Sequence, residues 1–193
     1  MNEKKKISIY DVVAVAIMAA VVFVVTMFLS IRIPTPTGTT MIKLANAFIL
    51  MAGILLGGWR GGLASGFGSM FFDLMTPEYV PEAWITFLRF FLMAYICGAI
   101  AHAGGAAGRR NGRNLAASIV AALFSSVFYT AKNVIVLMAA GSAFGPAFVA
   151  NIPKLAASLP NVVIAVAVTA VLTPVLRHAL AATNFYRQIG MQP

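Results

Sequence analysis

The sequence predicts an all-α integral membrane protein, a single bundle of six transmembrane helices. Three observations carry that prediction. The 193 residues are 61% hydrophobic and only 10% charged, with a mean hydropathy of +0.90, whereas soluble domains carry about a quarter charged residues. Apolar runs close to the roughly 20 residues that a helix needs to cross a bilayer recur along the chain. When those runs are threaded alternately through a membrane, the basic residues fall mainly on one side.

Residues 1–11 carry Lys4, Lys5 and Lys6 and form a short cytoplasmic N-terminus. Val12–Ile31 is an uncharged first span. It is too long for a secretory signal and lacks a small-residue cleavage site before a polar mature chain. The stretch "RIPTPTGTTMIK", Arg32 to Lys43, then interrupts with prolines and threonines between two cations. It reads as part of a lid over a small-molecule site, its prolines lowering the entropy lost on closing.

Leu44–Gly58 and Gly61–Met75 are shorter spans, with "GGWRGG" between them as a tight turn. The segment "TPEYVPEA" places Glu78 and Glu82 in an outer loop without a cation. Ala83–Ala103, Leu115–Gly141 and about Leu159–Ala181 complete the six. The bundle thus covers about residues 12–181 of one membrane domain, and residues 182–193 form a cytoplasmic tail.

With this threading, Lys4, Lys5, Lys6, Arg60, Arg109, Arg110, Arg113, Arg177 and Arg187 lie inside. Only Arg32, Lys43 and Lys154 lie outside, while Arg89 and Lys132 fall within helices. That bias follows the positive-inside rule. The net charge of +9 is therefore topological, and nucleic acid is not an expected partner. The single cysteine, Cys97, supports neither a disulfide framework nor a cysteine-based metal site.

Converting position into depth gathers the polar side chains at the outer end. Asn46, Asp73, Arg89, Lys132, Asn133, Asn151, Lys154 and Asn161 all fall there. The inner halves offer little beyond Ser65, Ser125, Ser126 and His102. An ionisable group in a bilayer costs roughly 2.5–3.5 kcal/mol on insertion scales, so Asp73, Arg89 and Lys132 require partners, water or ligand. A channel needs polar groups through its whole thickness; one-sided polarity suits a pocket open to the outside.

The candidate substrate-binding residues are Thr37, Asn46, Asp73, Trp84, Arg89, Tyr129, Lys132, Asn133 and Asn161. Blander roles compete for several of them. Asp73 could pair with Arg89 and lock two helices, and Lys132 could snorkel to the interface. Trp84 suits an aromatic belt, Tyr129 suits packing, and Asn161 after Pro160 suits a helix start.

Small residues four apart let helices approach closely. Gly53-x-x-x-Gly57 and Gly62-x-x-x-Gly66 fit packing inside the bundle, whereas Ala16-x-x-x-Ala20 on the first span leaves an intermolecular surface open. No metalloprotease or nucleophile-elbow motif is present to support an enzyme, and no catalytic, metal or cofactor site is expected. A stand-alone secondary transporter of a small metabolite is the alternative function, although repeat halves and midplane polar sites are not visible.

Two stretches carry a family resemblance: the proline-bearing "IRIPTPTG" after the first span, and "LANAFILMAGILLGGWRGGLASGFGSMFFDLMTPEY". With the length, span count and orientation of about Val12–Leu180, they resemble the substrate-binding S component of energy-coupling factor (ECF) vitamin transporters, in the riboflavin-type branch. The branch often has Gly-Asp after its asparagine, where this chain has Ala47 after Asn46. The resemblance implies capture of a heteroaromatic vitamin or precursor, such as pyridoxine, hydroxymethylpyrimidine or riboflavin. It implies a prokaryotic cell membrane with both termini cytoplasmic, and no cofactor. It implies a transmembrane coupling subunit docking on Ala16 and Ala20, and two cytoplasmic ATPase subunits. This chain has no Walker A loop, so ATP chemistry would lie on those partners.

Overall fold

The computed structural model describes residues 8–35, 38–183 and 185–190. In chain order the described elements are α1 (Ile9–Phe28), β1 (Ser30–Thr35), β2 (Gly38–Lys43), α2 (Ala45–Leu56), α3 (Gly58–Leu74), α4 (Ala83–His102), α5 (Asn111–Ala139), α6 (Phe144–Ala182) and α7 (Phe185–Gln188). The helical bundle is as expected. Among the described residues, however, four helical stretches are long and apolar enough to cross a membrane: Ile9–Phe28, Val80–Gly105, Asn111–Ala139 and Phe144–Ala182. The second and third expected spans are α2, with 12 residues, and α3, with 17.

Local chemistry sets the boundaries. α1 begins before the expected Val12 because Ser8 and Asp11 form a capping box: the Ser8 amide donates to Asp11 Oδ2 at 3.0 Å, and Ser8 Oγ accepts from the Tyr10 amide. The break between α2 and α3 is Gly57 alone, at φ 83°, a conformation that glycine adopts without a Cβ clash. Trp59, Arg60, Gly61 and Gly62 are already helical, so "GGWRGG" is mostly helix and not a turn.

The lid segment folds as an antiparallel hairpin, with Ser30 opposite Lys43 and Ile33 opposite Thr40. Its two strands are a departure from the all-helical expectation. Pro34 is tolerated because a two-stranded ribbon has only edges.

α6 starts at Phe144, fifteen residues before the expected Leu159, and continues through Pro153, Pro160 and Pro174. Side chains supply carbonyl contacts near the prolines. Asn151 Nδ2 donates to the Ala147 carbonyl at 2.9 Å, and Ser158 Oγ to that of Leu155 at 2.7 Å.

α2 occupies the middle of the bundle, buried along its length except for Phe48. Ile49, Leu50 and Ile54 pack with Val22, Phe90, Met93, Cys97, Ala121 and Ala165 into one apolar core. The glycine seams lie inside: a Cβ on Gly53 would meet the Ala94 carbonyl oxygen at 2.3 Å, and one on Gly68 that of Ala19 at 2.4 Å. At the end away from the hairpin, Tyr186 and Ile189 bury against Ala14 and Leu56. There Arg60 bridges Asp11 at 2.8 Å and donates to the Ile189 carbonyl at 2.9 Å.

Candidate functional site

Beneath the hairpin lies a cavity of about 290 Å³. β2 supplies Thr39, Thr40 and Lys43 to its roof, and α2 supplies Asn46. α3 and α4 supply Asp73, Thr86, Arg89 and Phe90, while α5 and α6 supply Ser125, Tyr129, Asn133, Lys154 and Asn161. The apolar core around Leu50 and Met93 closes its floor. Polar groups therefore meet at the hairpin end and an apolar plug lies below them.

Of the candidates, Asn46, Asp73, Arg89, Tyr129, Asn133 and Asn161 line this cavity. Thr37 lies outside the described residues. Trp84 is on α4 but 67% exposed and away from the cavity. Lys132 sits at the rim, where its Nζ donates to Glu82 Oε1 at 2.7 Å and lies 5.4 Å from the Tyr129 ring centre.

Asp73 is buried, and Thr86 of α4 lines the cavity with it. The Asp73–Arg89 ion pair considered from the sequence does not form: among the described residues the ion pairs are Arg60–Asp11 and Lys132–Glu82. Arg89 instead donates from Nε to Ser125 Oγ at 2.9 Å and to the Ser125 carbonyl at 3.2 Å. Its guanidinium carbon lies 4.7 Å from the Phe90 ring centre and 4.6 Å from that of Tyr129. Cation–π contacts of this kind restrain a guanidinium.

Asn161 performs a second task. Its Oδ1 accepts from the Lys43 amide at 2.7 Å, and its Nδ2 donates to the Met41 carbonyl at 2.8 Å, pinning β2 to α6. The Asn46 Oδ1 and Tyr79 hydroxyl oxygen are buried without a hydrogen-bond partner. Each is available to a bound molecule, since unsatisfied buried polar atoms are costly.

Sequence position misplaced Ser125 and Ser126. Both line the cavity, because α5 begins at Asn111 and carries them to mid-helix. Lys43, a lid-end cation in the sequence that could either meet a negatively charged ligand or anchor at the interface, lines the cavity. Its Nζ lies 5.3 Å from the Phe72 ring centre and 5.9 Å from that of Phe90. Burial pushes this ammonium down to about 8, while Asp73 pulls the other way.

A larger apolar concavity of about 1430 Å³ runs along α1, α3 and α4, away from these groups. Ala16, Ala20, Phe23, Leu63, Phe67 and Tyr95 line it. Its walls are almost entirely carbon, so it suits a lipid or protein surface better than a polar solute. The Ala19 carbonyl faces Gly68, and the side chains of Ala16 and Ala20 are exposed.

Comparison with known proteins agrees with this architecture. The profile of the family described as ECF-type riboflavin transporter, S component, matches residues 6–181. A solved S component of a bacterial ECF transporter superposes with a TM-score of 0.60 at 17% identity, covering 90% of this chain and 96% of that one. That likeness speaks for the fold. Curated proteins give no match. With nearly the whole chain matched, this protein belongs to the S component family of ECF-type riboflavin transporters, a family of membrane transport proteins for vitamin uptake and not of enzymes.

Proposed function

We propose that this chain captures a small heteroaromatic vitamin or vitamin precursor, of the size of pyridoxine, hydroxymethylpyrimidine or riboflavin, from outside a prokaryotic cell. The cavity under the hairpin is the substrate site. The hairpin faces outward, both termini face the cytoplasm, and the chain works as one membrane unit. The observation that carries this reading is the one-sided cavity: polar and aromatic side chains converge beneath a hairpin, and buried apolar helix α2 closes the way through.

With the way below closed by Leu50, Ile54 and Cys97, the cargo is delivered by reorientation of the whole chain, the mechanism that the family resemblance implies. Partners provide that work. Ala16 and Ala20, exposed in the groove on α1, are the contact for a transmembrane coupling subunit that is itself driven by two cytoplasmic ATPases. Asn46, Asp73, Arg89, Tyr129 and Asn133 contact the ligand. Asn161 and Lys132 contribute at the lid and rim, and Thr37 is a further proposed contact; Trp84, exposed on α4 and away from the cavity, is a contact only if the ligand reaches past the rim.

Native mass spectrometry of the purified chain tests this reading. A single co-purified vitamin-sized compound, lost in Asp73→Ala, is expected. Absence of any bound or titratable small molecule would contradict it.

A further inference from the structure

The charges around the cavity point to a narrower class of ligand. We infer that the site is built for a compact oxyanion, a single planar ring carrying a carboxylate or a phosphate, in preference to a neutral or polycyclic molecule. This rests on the cavity being the substrate site and goes beyond it.

Arg89 supplies the first argument. Its Nε is fixed on Ser125, and the Phe90 and Tyr129 ring centres lie within 4.7 Å of the guanidinium carbon. Among the described residues, no protein acceptor is hydrogen-bonded to its two terminal NH₂ groups. A rigid guanidinium edge with two unused donors matches the geometry of a carboxylate or phosphate, and such paired bonds are among the strongest that side chains make.

The charge balance supplies the second. Lys43, Arg89 and Lys154 line the cavity against Asp73, Glu78 and Glu82. Glu82 is engaged by Lys132 at 2.7 Å, and Glu78 is exposed. The four cations then outnumber the three carboxylates by one. With a pKa of about 8, Lys43 is still mainly an ammonium at neutral pH. A surplus cation in a largely desolvated site is unfavourable unless a ligand brings the opposite charge.

Size and donor chemistry complete the picture. At about 290 Å³ the cavity lies at the small end of the range for ligand sites, roughly 300–1,000 Å³. The Asn46 Oδ1, buried and without a partner, calls for an N–H or O–H on the ligand.

The test is isothermal titration of the full-length chain in detergent with two shape-matched pairs. These are 5-hydroxypyridine-3-carboxylate against 5-hydroxypyridine-3-carboxamide, both with an O–H donor, and pyridoxine 5′-phosphate against pyridoxine, with riboflavin as the larger neutral probe. At least one acid is expected to bind tenfold or more tightly than its neutral twin; the pair that shows the preference identifies carboxylate or phosphate. Arg89→Gln should reduce the preference to threefold or less. Arg89→Lys, which keeps the charge without the flat edge, should fall between, and Lys43→Met, on the hairpin, should lower it independently if Arg89→Gln proves unstable. Neutral twins or riboflavin binding as tightly as the acids, or no binding by any probe, overturns the inference. Neutral binding that Asp73→Ala weakens keeps the substrate site while removing the anion; binding unmoved by Arg89, Lys43 and Asp73 variants removes both.

Discussion

Asn161 on α6 grips the backbone of β2 on either side of Ile42: its carboxamide accepts from the Lys43 amide at 2.7 Å and donates to the Met41 carbonyl at 2.8 Å. A third bond, from Nδ2 to the Ala157 carbonyl at 3.2 Å, fixes the side chain on its own helix. One residue thus joins the hairpin that roofs the cavity to the helix that walls it. Asn161→Leu removes both cross-element bonds and leaves a buried amide and carbonyl unpaired, at a cost of about 1–3 kcal/mol each. Hydrogen exchange at the Lys43 amide is expected to accelerate at least tenfold, with ligand affinity falling in step. Unchanged exchange would show that the hairpin is held elsewhere.

Asp73 and Lys132 differ in what surrounds them. Asp73 is buried inside the cavity, whereas the Lys132–Glu82 pair has one partner about half exposed at the rim. Exposed ion pairs contribute about 0–1 kcal/mol. Titration should show Asp73→Ala lowering affinity tenfold or more and Lys132→Ala lowering it about fivefold or less. The reverse order would move the ligand to the rim.

Ala16 and Ala20 lie in the apolar groove and not in the cavity. Ala16→Trp or Ala20→Trp should therefore abolish vitamin uptake by cells while the purified variants bind ligand within twofold of wild type. Loss of binding instead would identify a folding seam of the bundle.

At Gly68, α3 approaches α1 closely. A side chain there would meet the Ala19 carbonyl oxygen at 2.4 Å and Val22 Cβ at 3.0 Å. Gly68→Val is expected to destabilise by about 1–3 kcal/mol and lower the thermal midpoint by several degrees. Gly112→Ala, where nothing lies within 4 Å, serves as the control and should be neutral or stabilising. Equal midpoints for the two variants would mean that the helices can separate at Gly68 without penalty.

The bundle and the one-ended polarity were legible because they depend on composition and on depth along apolar runs. Asn46, Asp73, Arg89, Tyr129, Asn133 and Asn161 converge as their positions implied. The hairpin was hidden by Pro34 and Pro36, which argue against strands in general but not against a two-stranded edge. The early start of α6 was hidden by Pro153 and Pro160, read as boundaries although side-chain amides and hydroxyls bond carbonyls near them. Ser125 was missed as a cavity residue because depth counted from an assumed helix start shifts by a turn when the real cap lies earlier. The double use of Asn161 depends on a contact 118 residues distant in sequence, which no local pattern encodes.

The most direct measurement is equilibrium titration of the co-purified vitamin against the chain alone, in detergent, without nucleotide or any partner subunit. Saturable one-to-one binding, weakened at least tenfold when Asn46 and Asp73 are both replaced by alanine, is the expected result. Binding that appears only with ATP and the other subunits, or that survives the double replacement unchanged, would contradict a ligand site beneath the hairpin.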